Sequence, residues 1–270
     1  MRPWTLIRGL TLAAAILAFV MMVAAGPATR ADILSWRVGL TMLAWAAYLG
    51  MASATVAAVL LALAAFPRFR PRPWVPLVAI CFGLAALAPP LILREHARGF
   101  PSIHDITTDT TDPPGFVALL DERKQAPNGV DYGGAAIAAQ QAKAYPDIKP
   151  LHLEQLPRDA MQHAIDAARA MGWEIRASDS GAGRIEATAR TGWFGFRDDV
   201  VVRIRAVGQG ARVDVRSASR YGRHDFGGNA SRIRSLLEDI EARTDTEEKR
   251  EQRQQQKQQP KPSGAQAGKR

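Results

Sequence analysis

The stretch Val213–Leu237, VDVRSASRYGRHDFGGNASRIRSLL, begins as a strand and ends as a helix, with polar side chains gathered around Gly222, Gly227 and Gly228. Guanidinium forks suit phosphate, sulfate and carboxylate, because their paired N–H donors match two anion oxygens. A helix start adds unpaired backbone N–H groups and a positive dipole end. Arg216, Ser217, Ser219, Arg220, Asp225, Asn229 and Arg232 therefore form a candidate anion- or partner-binding site. Arg197, Asp198 and Asp199 join it, since this triplet opens the neighbouring strand where Ser219 closes its own. Its carboxylates would orient the arginines through charge-assisted hydrogen bonds. A purely structural corner explains the same residues. Small serines let the final helix approach, Asp225 or Asn229 caps it, and glycines permit the tight path.

Other chemistries fit less well. A hydrolase or transferase would use the Arg197/Asp198/Asp199 triplet with the Arg216–His224 cluster. His224 beside Asp225 evokes a proton relay, yet adjacent residues point apart and no GxSxG supplies a nucleophile. Asp105, Asp109 and Asp112 lack the spacing of an EF-hand. The five histidines form no HExxH pair, and there is no Walker loop or dinucleotide fingerprint. No metal or cofactor is expected. The single cysteine, Cys81, excludes a disulfide or a thiol site in any domain after it.

The elements that position these residues start in lipid. Uncharged runs of 21, 30 and 21 residues separate Arg8 from Arg30, Arg37 from Arg68 and Arg72 from Arg94. A bilayer core needs ~20 apolar residues per helix, so three transmembrane helices are predicted, at about 9–28, 39–66 and 73–93, in a membrane region 1–98. The first run also has the form of a signal peptide, with Arg2 and Arg8 ahead of it and small residues at Ala24 and Ala25. Arg68, Arg70 and Arg72 keep their loop cytoplasmic under the positive-inside rule. The third helix then delivers the rest of the chain to the outer side, although Arg30, Arg37, Arg94 and Arg98 weaken the bias.

Charge is partitioned in the same way. Of the net +9, residues 1–93 carry +6 and the tail 244–270 carries +3, which leaves residues 94–243 neutral. Nucleic-acid binding needs positive charge clustered on the domain. It is excluded as a function class.

Residues 94–150 are rich in turn signals. A short strand near Leu151 follows, then a helix opened by Pro157, then four strands between Trp173 and Ser219. The final helix carries Ile233, Leu236, Leu237 and Ile240 on one stripe. Val200, Val202 and Ile204 share a face with Val213 and Val215 and with Ile185, Ala187 and Ala189. The opposite face presents nine charged positions, among them Glu186, Asp199, Arg203, Asp214 and Arg216, which read as cross-strand ion pairs in water. The predicted fold is α+β: a soluble domain over 99–243 with an antiparallel sheet of four or five strands and helices packed on one face. The tail 244–270 reads as frayed helix, then disorder.

The motifs IHDITTDTTDPPGF, GWFGFRDDVVVRI and VDVRSASRYGRHDFGGNASRIR together resemble the bacterial and plastid family known as domain of unknown function 1499. The resemblance covers roughly residues 100–243, and members often carry N-terminal membrane helices. It supports the fold and placement and implies no chemistry. The reading is a multi-pass protein of a bacterial inner membrane that presents a non-catalytic, periplasm-facing binding or interaction domain. Its expected partners are the lipid bilayer and an envelope protein or small anionic ligand.

Overall fold

The computed structural model describes residues 3–66 and 73–258, arranged as two compact units. The arginines of the expected cytoplasmic loop, Arg68, Arg70 and Arg72, lie outside the described residues.

The first unit holds three helices, α1 (Pro3–Arg30), α2 (Trp36–Leu63) and α3 (Trp74–Ala97), each long and apolar enough to cross a membrane. Lipid offers no hydrophobic drive between helices, so close packing depends on small residues. A Cβ on Gly83 would stand 2.5 Å from the Gly50 carbonyl oxygen, and one on Gly50 2.7 Å from that of Gly83. The two glycines therefore let α2 and α3 meet backbone to backbone. Ala15, Ala57 and Ala79 form a similar small-residue contact among all three helices. Asp32 adopts a φ of 57° in the turn after α1, a region that Asp tolerates better than most residues. Ser35 then caps α2 by accepting from the Val38 N–H.

Two further segments, Arg190–Asp198 and Arg220–Phe226, belong to this unit. Phe194 packs with Ala18, Met22, Leu43 and Ala46, and stacks on Phe196 at 5.2 Å. Three glycines make room. A Cβ on Gly26 would strike the Trp193 indole, one on Gly39 would strike Thr29 Oγ1 and touch Phe194, and one on Gly195 would crowd Arg30.

The second unit is built on six antiparallel strands: β1 (Asp105–Thr107), β2 (Leu151–Leu153), β3 (Glu174–Asp179), β4 (Arg184–Arg190), β5 (Arg197–Val207) and β6 (Gly210–Ser219). The order is β1-β6-β5-β4-β3, with β2 also pairing β6. Helix α6 (Pro157–Ala170) and helix α7 (Gly228–Gln258) bury their stripes on the face of Val200, Val202, Ile204, Val213 and Val215. The expected register holds. Val202 and Val213 are buried and Arg203 is half-buried.

The α+β architecture stands, with one more strand than the upper expectation. β1 hides in the turn-rich segment because it has three residues and no pattern of its own. Its register on β6, Asp105 opposite Ala218, defines it. Two short helices share that segment, α4 (Leu120–Gln125) and α5 (Gly134–Ala144). From α5, Gln141 serves as a surrogate strand partner. Its Oε1 accepts from the Thr107 N–H at 3.0 Å and its Nε2 donates to the Thr107 carbonyl at 2.6 Å. Helix α7 continues through residues 244–258, while 259–270 of the expected disordered tail lie outside the described residues.

The polar face of the sheet differs from its reading as a solvated surface. Of its nine charged positions, Glu186, Asp199, Asp214 and Arg216 are buried. The segment from Asp109 to Val130, α4 included, lies across that face. Phe116 and Leu119 pack on Val201 and Ala218 to make a second, smaller core.

Candidate functional site

The corner between β6 and α7 is a closed hydrogen-bond hub around Asn229, the second residue of α7. Ser217 Oγ donates to Asn229 Oδ1 at 2.7 Å, and Arg232 Nη1 donates to the same oxygen at 2.6 Å. Asn229 Nδ2 donates to Ser219 Oγ at 3.0 Å and to the His104 carbonyl at 2.9 Å. A carboxamide offers two donors and two acceptor lone pairs, and all four are used. Asn229 therefore ties the start of α7 to β6 and to the residue before β1. Phe226 and Gly227, at φ 52° and 76°, reverse the chain into the helix.

Arg216 projects to the opposite face, away from Arg232. Its Nε and Nη2 hold the two oxygens of Asp105 at 3.0 and 2.7 Å, and further donors reach the carbonyls of Pro114 and Val130. From α4, Arg123 contacts Asp199 at 3.3 Å and donates to the Ala218 and Gly129 carbonyls. Both guanidinium groups lie over the Phe116 ring, at 4.6 Å for Arg123 and 4.9 Å for Arg216. Asp199 also accepts from Thr188 Oγ1 at 2.9 Å. Glu186 receives the backbone N–H groups of Val117, Ala118 and Leu119 at 2.9–3.0 Å. These groups hold the covering segment on the sheet.

Two acids of the covering segment, Asp109 and Asp112, and Asp214 of β6 meet the half-buried and exposed arginines of the sheet. Asp109 pairs with Arg212 at 2.7 Å, Asp112 with Arg203 at 2.9 Å, and Asp214 with Arg203 and Arg205 at 3.1 and 2.9 Å. Burial alone would raise the Asp109 carboxyl, but the N–H groups of Asp112 and Thr111 with Arg212 and Arg203 outweigh it and hold it below the usual range. The aspartates first weighed as a calcium loop are thus each matched to an arginine. Among the described residues, no group of three or more His, Cys, Asp or Glu side chains is placed to hold a metal ion.

Burial, reinforced by Asp105 and opposed by Arg216, pushes the Tyr132 phenol up to about 12. An unfolded tyrosine titrates near ~10. The stability tied to the neutral phenol is therefore complete below pH ~10 and is lost as pH rises toward ~12. Tyr132→Phe should flatten that alkaline slope, read as urea midpoints of the full-length protein across the window. An unchanged slope would assign the alkaline loss to other groups.

Arg197, Asp198, Arg220 and Asp225 fall in the first unit. Arg197 Nη2 donates to both oxygens of Asp32 at 3.1 Å, and Arg190 Nη1 stands 3.6 Å from the same carboxylate. Arg30 Nη1 donates to the carbonyls of Thr191 and Gly192 at 2.7 and 2.6 Å. Asp198 and Arg220 are buried and bonded, and the Arg220 N–H donates to the Arg197 carbonyl. His224 stacks on Phe226 with centroids 6.1 Å apart. Beside Asp32 lies a cavity of about 330 Å³ whose walls include Trp36, Phe194, Phe196, Arg197 and Tyr221.

Seven of the ten candidate residues fall into three groups. Ser217, Ser219, Asn229 and Arg232 form the corner hub. Arg216 and Asp199 hold the cover. Arg197 sits with Asp32. Alternation along β5 also places Asp198 and Asp199 on opposite faces.

A family model described as "Protein of unknown function (DUF1499)" matches residues 105–240. The chain belongs to this family. No curated protein matches it. The DUF1499 region begins at Asp105, the carboxylate that holds Arg216, and ends at Ile240 in the stripe of α7. It contains both the corner hub and the covered face of the sheet. The helices α1–α3 lie outside it.

Sequence reasoning did not single out Arg123 or Asp32, and it read Glu186 as one of nine solvated charges on the polar face. A signal existed for Arg123 and Glu186: Asp-Pro-Pro-Gly-Phe at 112–116 places a large aromatic within a polar loop. That aromatic needs a surface to bury against, and the sheet supplies it.

Proposed function

We propose that this DUF1499 protein is a multi-pass inner-membrane protein whose C-terminal domain faces the periplasm and works as a non-catalytic binding or interaction module. The observation that carries this reading is how the domain uses its acids. Asp105, Asp199, Glu186 and Asp214 are buried and engaged by arginine, hydroxyl or backbone N–H donors within the fold. A general acid or base needs an accessible carboxyl within reach of substrate. Glu186 and Asp199 instead grip a 22-residue cover, Asp109 to Val130, directly, and Asp105 and Asp214 hold the sheet arginines Arg216 and Arg203 that reach it. Three membrane-length helices support the anchoring. The orientation rests on the Arg68–Arg72 loop, and two of the four outer arginines that weaken the bias are engaged locally: Arg30 holds the 191–192 carbonyls and Arg37 lies over Trp36.

Paired reporters test the topology. Fused after Phe66, a fluorescent reporter that matures only in the cytoplasm should be bright. Fused after Arg270, alkaline phosphatase should be active, because it folds only in an oxidising compartment. The opposite pattern at both positions would refute the orientation. In vivo crosslinking from the domain should then capture a defined envelope component.

A further inference from the structure

We infer that the cavity beside Asp32 binds the phosphodiester headgroup of an anionic membrane phospholipid. The inference deepens the membrane reading above, because it takes α1 and α2 as bilayer spans. Helix α1 ends at Arg30 and α2 starts at Trp36, so the turn between two spanning helices lies at the level of the lipid headgroups. The cavity opens at that turn, lined by Asp32, Leu34 and Ser35. Its volume of about 330 Å³ suits a headgroup better than a large ligand.

The walls match an interfacial ligand. Trp36 and Tyr221 sit 5.1 Å apart and combine an apolar body with a polar tip, as aromatic side chains at membrane boundaries do. Phe194 and Phe196, stacked with an interplanar angle of 4°, supply an apolar wall for glycerol and the first acyl carbons.

The charge is matched as well. Asp32 is shared by two guanidinium groups, Arg197 and Arg190. Two cations against one carboxylate leave a surplus of one positive charge, which one phosphodiester neutralises. Among the described residues, only Nη2 of Arg197 is engaged by a side chain. Its Nε and Nη1 donors remain for phosphate oxygens, the geometry a guanidinium recognises best. Asp32 thus positions Arg197 rather than competing for the ligand.

The site is also preformed. Trp193 sits against Gly26 and Gly195 against Arg30 with no room for a Cβ on either glycine, and Thr29 Oγ1 fills the space at Gly39 beside Phe194. Little ordering remains to be done when the headgroup enters.

The test uses the full-length protein in detergent with phosphatidylglycerol carrying a photoactivatable headgroup. Trypsin cuts after Arg30, Arg37, Arg190 and Arg197, so adducts should concentrate on the peptides Ala31–Arg37 and Thr191–Arg197. Native mass spectrometry should show phosphatidylglycerol retained over phosphatidylcholine, and Arg197→Gln should lower that retention about tenfold, the loss of a charged hydrogen bond. Arg205→Gln, which alters an exposed arginine of the second unit, should leave it unchanged. A hundredfold excess of inorganic phosphate should not displace the lipid. Adducts scattered over α1–α3, or retention that ignores Arg197→Gln, would overturn the site. Displacement by inorganic phosphate would overturn the lipid and leave a free-phosphate pocket. Should Arg197→Gln fail to fold, the adduct map on the wild-type protein decides alone. The reporter fusions read orientation separately, so a correct topology with no lipid retention refutes this inference and leaves the functional reading standing.

Discussion

Asp105→Ala should lower the melting temperature of the full-length protein by on the order of 10 °C, the largest single effect expected here. Asp105 and Arg216 are both buried, and their bidentate contact is the best-formed ion pair beneath the cover. Breaking a buried pair by removing one partner typically costs about 3–5 kcal/mol, since the other charge stays buried and uncompensated. The local context makes matters worse. Arg123 lies on the same Phe116 ring. Burial lowers its pKa, Asp199 and Asp105 oppose that, and Arg216 adds to the lowering. Without Asp105, two guanidinium groups share the neighbourhood of Asp199 alone. Replacing both partners, Asp105→Leu with Arg216→Met, should recover most of the loss, because a well-packed apolar pair avoids the desolvation penalty. A double mutant as unstable as the single would show that the pair is needed for more than charge balance. A single mutant that melts with the wild type would refute the role of the pair.

The second large effect is local. Glu186→Ala should release the covering segment, raising the rate of tryptic cleavage next to Arg123 and Lys124 about a hundredfold. The carboxylate is fully buried and receives three consecutive backbone N–H groups, while Arg184 Nε stands 3.2 Å from Oε1. Removing it strands the buried Leu119 N–H and returns those of Val117 and Ala118 to water. Each stranded buried donor costs about 1–3 kcal/mol, and the lost charged acceptor brings the total to about 3 kcal/mol. Where closing is fast relative to cleavage, proteolysis follows the open population, so ~1.4 kcal/mol gives about tenfold. Glu186→Gln should fall between the two. Its amide keeps one oxygen for Val117 and Ala118 but turns N–H donors toward the Leu119 N–H. Cleavage at the wild-type rate in Glu186→Ala would mean that Phe116 and Leu119 hold the cover by packing alone.

Several features followed from the sequence without help from tertiary structure, and each reflects a local rule. The long uncharged runs specify helices long and apolar enough to span a bilayer, because a helix satisfies its backbone polar groups within the segment itself. Alternation in β5 and β6, interrupted at Val201, specifies which side of the sheet is apolar, because successive side chains point to opposite faces. The stripe Ile233, Leu236, Leu237 and Ile240 specifies how α7 meets that side.

The tertiary structure decided what satisfies the charges. Alternation says that Glu186, Asp199, Asp214 and Arg216 share a polar face, and an alternating pattern reads the same whether water or protein covers it. The partners that bury them, Val117–Leu119, Arg123 and Asp105, lie tens of residues away in segments whose own composition reads as turn. The same holds for Asp32, whose partners are Arg190 and Arg197, the latter 165 residues away in the chain. Periodicity constrains neighbours along the chain, whereas a buried charge is decided by whichever distant group can pay its desolvation, and only the folded arrangement brings that group into contact.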